Sequence, residues 1–250
     1  MISALNMSRV NGSRDFVHSD IHFGWSDICA LKARDDERVK NGQIRCVRGL
    51  LTSYIERDSW TRLNVKPSKI MQQEEVLSEL YTYAMTGGNG CQSALKMHEY
   101  LTACNQLFER GFLCHNPVYD NGSPVLKNIS IGYKYIVQWL NQIRSKVPGF
   151  FLSSRQSPFI ASQTWDLLRI CVHGIRGLVT DFSRRNSGYF IVLSRINGSA
   201  VESLFSQMKY ATSGKLSSVN YESARKSVII RSNVCAKMLQ IKIIEITIWK

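Results

Sequence analysis

Acidic side chains are scarce in this chain: 19 Asp and Glu stand against 32 Lys and Arg, leaving a formal charge of +13. Such an imbalance favours polyanionic partners, nucleic acid before others, although charge alone raises only non-specific affinity. No apolar run approaches the ~20 residues that a membrane helix needs. The stretch from Leu239 to Trp249 comes nearest and is interrupted by Lys242 and Glu245. The first residues carry no apolar core of signal-peptide length, so a nuclear or cytoplasmic protein is expected, neither secreted nor membrane-bound. The cysteines (29, 46, 91, 104, 114, 171 and 235) contain no C-x-x-C pair, which removes the usual zinc and redox spacings and predicts reduced, partly buried thiols. No G-x-x-x-x-G-K-[ST] phosphate loop is present, and Gly87-Gly88-Asn89-Gly90 lacks the lysine that would mark one. Internal repeats and low-complexity tracts are absent too.

What is there is mostly helical periodicity. Residues 1–23 are polar and irregular, with His18 and His22 flanking Asp20; on a helix that spacing could ligate a metal. From Trp25 a helical pattern begins (Ile28, Leu31, Ala33) and runs into Arg34-Asp35-Asp36-Glu37-Arg38, which reads as a solvated helix end. Pro67 opens a helix over 67–86 with Ile70, Leu77, Leu80, Tyr81 and Ala84 inward and Glu74, Glu75 and Glu79 toward water. A second helix over 91–110 (Leu95, Leu101, Cys104, Leu107, Phe108) should pack antiparallel to it across the glycine-rich turn.

A loop over 116–124, a helix over 129–145, a stop at Val147-Pro148-Gly149 and a long helix over 157–182 follow. Gly174 and Gly177 should weaken or bend that last helix. The segment from Gly188 to Leu193 reads equally as a strand or a buried connection. Pro148-Gly149 is the candidate boundary between two lobes. Cys114-His115 reads as a buried thiol beside a loop histidine.

The block from Asn197 to Arg225 carries the most specific pattern. Glu202 sits on a short helix whose other face is Val201, Leu204, Phe205 and Met208, and Gly214-Lys215-Leu216-Ser217 follows. This block resembles the last catalytic segment of P-element-like transposases, cut-and-paste enzymes often fused to a THAP zinc finger. Two earlier stretches are similar to the same family in the same order. One runs from Trp25, Ile28 and Leu31 through Asp35 to Leu63-Asn64-Val65-Lys66-Pro67 and resembles the start of the family's insertion domain. The other is Tyr100-x-x-x-Cys104-Asn105-Gln106-Leu107-Phe108-Glu109, similar to a helix ending in Leu-Phe-Asp-x-x-Asn. Gly149-Phe150-Phe151-Leu152 then resembles the return into an RNase H-like fold.

The resemblance implies a mainly α chain in four parts: an irregular segment 1–23, a helical insertion domain of GTP-binding type over 24–148, the C-terminal part of a split RNase H-like domain over 149–232, and a divergent β-prone tail over 233–250. It also implies metal-dependent DDE-type chemistry, in which divalent ions held between carboxylates activate the nucleophile and stabilise the leaving oxygen. Mg²⁺ suits that task, since it leaves positions open for phosphate.

Glu202 matches the third carboxylate, as catalytic residue and metal ligand. The stretch bearing the first two has no counterpart here, so autonomous strand cleavage is not expected and the chain reads as truncated. Glu109 and Ser199 occupy cofactor-binding positions where the family has Asp, and Phe112 stands where it has Asn. GTP is the implied nucleotide. Lys209, Lys215, Arg225 and Lys226 form a basic cluster beside Tyr210 and Tyr221, suited to phosphate contact; a solvated helix face is the other reading. The expected function is non-specific DNA binding, or association with an intact transposase or with itself. The alternatives are a basic helical protein-interaction module and a GTP-binding module without nuclease activity.

Overall fold

The computed structural model describes residues 16–55, 66–87, 91–146 and 159–196, together with Glu222, Ser223 and Lys226. The fold is mainly α, as the periodicity predicts. Two compact units divide it, Met1–Leu193 and Ser194–Lys250. The candidate boundary at Pro148-Gly149 falls on two residues that lie outside those described.

The first unit opens with a β-hairpin where the sequence suggests irregular chain. Strands β1 (Phe16–His18) and β2 (Ile21–Phe23) pair antiparallel with Phe16 opposite Phe23, Val17 opposite His22 and His18 opposite Ile21. Ser19 (φ 53°) and Asp20 (φ 65°) form the two-residue turn, both left-handed as a type I′ hairpin turn requires. Strands of three residues are too short for alternation to be legible, which is why the hairpin is invisible in the sequence. Cross-strand partners share a face, so Phe16, Phe23 and His18 turn inward while His22 turns out. The two histidines lie on opposite faces, and the metal pairing considered for them does not form.

Helix α1 (Trp25–Lys40) buries Ile28 and Leu31, and Lys32 rather than Ala33 turns inward, paired with Asp36. The Asp27 carboxylate accepts the Gly24 N–H at 2.6 Å, satisfying an orphan donor of the helix start, and also accepts the Ser93 hydroxyl at 2.6 Å. Asp35 is not solvated. It is 1% exposed and accepts the backbone N–H of Cys46 at 2.8 Å, with Arg45 at 3.3 Å on its other oxygen. A charged run thus hides a structural carboxylate that pins the loop after α1.

After the short α2 (Thr52–Ile55), the helix expected over 67–86 is two helices, α3 (Lys66–Ile70) and α4 (Glu74–Thr86). Met71 and Gln72 are buried in the joint. There the carbonyl of Gln72 accepts the Asn105 side-chain amide at 2.7 Å, and the Gln72 amide donates to Ser68 O at 2.8 Å. A tertiary donor thus takes up a carbonyl at the break.

Helix α5 (Cys91–Leu107) packs antiparallel on α4, with Tyr81 against His98 and Glu74 against Arg110. On its other side lies α6 (Pro124–Lys146), which begins earlier than periodicity suggests because Pro124 serves as a first-turn residue behind Ser123. The two helices approach closely at Gly132, where a Cβ would lie 2.5 Å from the Ala103 carbonyl and 2.7 Å from Leu107 Cγ.

Helix α7 (Ser162–Arg185) runs through Gly174 and Gly177 without interruption. Ile191 then forms an isolated antiparallel bridge with Val118, resolving the 188–193 segment as a connection with one sheet-like contact.

The core centres on Trp139. Phe16 (5.1 Å, edge-on), Tyr100 (6.0 Å), Phe23 (5.8 Å) and Phe159 (4.5 Å) surround its ring. Trp165 continues the cluster by stacking on Tyr133. Each such aromatic pair is worth about 0.5–1.5 kcal/mol beyond simple burial.

Candidate functional site

The candidate site grows from the last turns of α5. After Leu107 the helix widens into one π turn (Phe108–Phe112), marked by the bond from Leu113 N to Phe108 O at 2.8 Å. Gly111 permits this, because a Cβ there would lie 2.6 Å from Ile129 of α6 and 2.7 Å from the Gln106 carbonyl. Single π turns frequently mark functional positions, since they re-aim a side chain within an otherwise regular helix.

The turn buries Phe108 and Phe112 against each other, with ring centroids 5.8 Å apart. Phe112 is therefore a core residue. Glu109 leaves one carboxylate oxygen, Oε1, buried without a hydrogen-bond partner. Unpaired buried oxygens typically cost about 1–3 kcal/mol, so this one asks for an explanation.

A groove of about 480 Å³ runs between α4 and α5 beside this turn. Tyr81 and His98 form one wall, ring against ring at 5.3 Å. Arg110 and Glu74 pair at 3.1 Å at its end. Gln106 contributes a buried side-chain oxygen with no partner. Burial holds the His98 pKa below the usual imidazole value, with Glu99 and Glu74 pulling the other way, so the ring is neutral near pH ~7. The sequence analysis missed this groove. Its signal was present as the polar spacing His98, Thr102, Gln106 and Arg110, one face of α5 at helical period.

A second polar cluster joins the hairpin to α5 and α6. His18 Nδ1 lies 3.3 Å from the Tyr135 hydroxyl and 3.9 Å from Glu99, which pairs with Lys96 at 2.8 Å. Burial lowers the pKa of His18 and raises that of Tyr135, keeping both neutral. Among thiols, burial pushes Cys104 up to about 12, so it is inert packing. Cys114 is half-buried, and His115 beside it is exposed.

Of the residues singled out from the sequence, Glu202, Ser199, Lys209, Lys215 and Arg225 lie outside the described residues. Lys226 is described; it is exposed and lies 3.7 Å from Glu222, a solvated pair one helical turn apart. Among the described residues no group of three His, Cys, Asp or Glu could hold a metal ion. None of the described helices is long and apolar enough to cross a membrane.

No family model matches the chain, and no curated protein matches it by sequence. Among solved structures it is similar to the Drosophila P element transposase of a strand transfer complex, with a TM-score of 0.63 at 14% identity. The match covers 91% of this chain and 50% of the transposase chain, so the chain spans about half the length of the structure it resembles. At that identity the likeness is one of fold: this chain has a transposase-like, mainly α fold.

Proposed function

We propose that this chain is part of a P-element-like transposase, comprising a helical insertion module and the C-terminal segment of an RNase H-like domain, and that its partner is DNA. One observation carries the reading: a fold likeness to a P element transposase over 91% of the chain. Three sequence stretches resemble the same family in the same order. The charge of +13 supplies the attraction to phosphate. A nuclear location and association with an intact transposase, or with a second copy, belong to the same proposal.

Strand cleavage by these residues alone is not part of it. Two-metal chemistry needs a set of converging carboxylates. The resemblance offers Glu202, which lies outside the described residues, and no described cluster could hold Mg²⁺. A GTP-binding module is the other reading of the resemblance. The groove beside Glu109 does not fit a triphosphate, because no lysine lines it and the charge of Arg110, the one cation among its lining residues, is offset by the Glu74 carboxylate that would repel phosphate. Its free polar atoms suit a neutral polar group instead.

The test is a gel shift on duplex DNA of arbitrary sequence at rising salt. Affinity should fall linearly on a log–log plot as counterions are released. If no complex forms at the lowest salt, where phosphate attraction is strongest, the proposal fails and the protein-interaction module becomes the better reading.

A further inference from the structure

Two aromatic rings lie exposed together where the loop after the π turn meets the end of α7. Tyr119 is 54% exposed and Phe190 51%. The rings of Tyr119 and Phe190 contact each other at 5.6 Å. Folded chains rarely leave adjacent large rings in water without a use for them.

The rings are held by built structure. Val118 and Ile191, the immediate neighbours of Tyr119 and Phe190, exchange both backbone hydrogen bonds at 2.8 and 2.9 Å and are themselves buried. Side chains alternate along extended backbone, so anchoring Val118 and Ile191 inward presents Tyr119 and Phe190 outward. Asn121 donates to the Thr180 hydroxyl at 2.7 Å, tying the same loop to α7. Gly188, at φ +85°, turns the chain between the helix end and Tyr189.

The two segments that meet here are cationic on balance. Lys127, Arg176, Arg184 and Arg185 stand against Asp120 and Asp181. Arg184 and Arg185 share the single carboxylate of Asp181, at 2.8 and 3.0 Å, and both guanidinium groups are largely exposed. Exposed pairs of this kind are weak, so a phosphate can take up either arginine at little cost.

We infer that Tyr119 and Phe190 form a stacking platform for the unpaired bases of single-stranded DNA, with Arg184 and Arg185 as its phosphate contacts. The inference rests on the DNA-partner reading and goes beyond it in assigning a site and a strand state. Exposed rings flanked by arginines offer what an unpaired strand needs: π faces for bases and cations for the backbone. A duplex hides its base faces, so the platform would add nothing to duplex binding. A docked protein would instead require the two arginines to be buried or matched by acids.

Fluorescence anisotropy with labelled oligothymidylate and a duplex of equal length tests this on the full chain. The wild type should prefer the single strand. Phe190→Ala and Tyr119→Ala should each weaken single-strand binding about tenfold while leaving duplex binding and the salt slope unchanged. Phe190→Leu keeps an apolar side chain but loses the π face, and should weaken binding like alanine; Phe190→Trp should preserve it. Arg184→Gln should flatten the salt slope. Circular dichroism and thermal midpoints verify folding, and Tyr119→Leu, which removes the π face but keeps an apolar side chain, serves where another variant does not fold. Equal binding of single strand and duplex, with the ring variants unchanged, overturns the platform and leaves DNA association standing. Phe190→Leu behaving as wild type also overturns it, in favour of a hydrophobic protein contact. Binding to neither probe overturns both.

Discussion

The indole N–H of Trp139 donates to the backbone carbonyl of Val17 at 2.7 Å, linking the middle of α6 to a hairpin strand more than a hundred positions earlier in the chain. The ring is fully buried, and its edge-on contact with Phe16 surrounds that bond with apolar surface. One side chain thus bridges two distant parts of the chain and also satisfies a carbonyl of the hairpin.

Trp139→Phe should therefore destabilise the fold by about 2 kcal/mol, because a half-buried acceptor loses its donor and a gap opens beside Phe159. Urea titration measures it. An unchanged midpoint would mean that Val17 O finds water instead. Trp139→Ala should cost more, about 3–5 kcal/mol.

Two glycines should respond to alanine with opposite sign. Gly132→Ala forces a Cβ into the Ala103 carbonyl and the Leu107 side chain, and should cost about 1–3 kcal/mol as α5 and α6 separate. Gly174→Ala meets nothing within 4 Å on an exposed helix face and should stabilise by about 0.5–1 kcal/mol. Thermal melts of the two variants side by side decide the matter.

Asp35→Ala should loosen the loop at residues 45–47 and cost about 1–3 kcal/mol, because the Cys46 N–H is left without its acceptor. Asp35→Asn should be milder, since one carbonyl oxygen can still face Cys46. Hydrogen exchange at Cys46 is the direct readout, with faster exchange expected in the alanine variant.

Acid should destabilise the protein through its histidines. Burial depresses the pKa of both His18 and His98 in the folded state below the ordinary value of 6.5. Between the folded and unfolded pKa values the unfolded chain binds more protons, so stability is full above ~6.5 and declines as pH falls toward the folded values. The thermal midpoint should drop between pH ~7 and ~5, and His18→Gln should flatten part of that drop. A midpoint that rises on acidification would contradict the burial of these rings.

The mainly α class, the helices at α1, α5, α6 and α7, and most of their buried faces were legible from apolar spacing alone, because long amphipathic helices repeat their signal over several turns. So was a fold related to P element transposases, from short motifs in order. Other features depended on partners far apart in sequence. The hairpin needs Trp139 to give its short strands a surface. The break between α3 and α4 needs Asn105 to take up the Gln72 carbonyl, and Asp35 becomes a buried anchor only when Cys46 returns to it. The π turn at Glu109 exists because Gly111 lets α6 approach, and the exposed rings of Tyr119 and Phe190 meet only through the Val118–Ile191 bridge. Periodicity reports which face of an element is apolar. Where a backbone group finds its partner, or two rings find each other, is set by long-range packing, and that was decided in three dimensions.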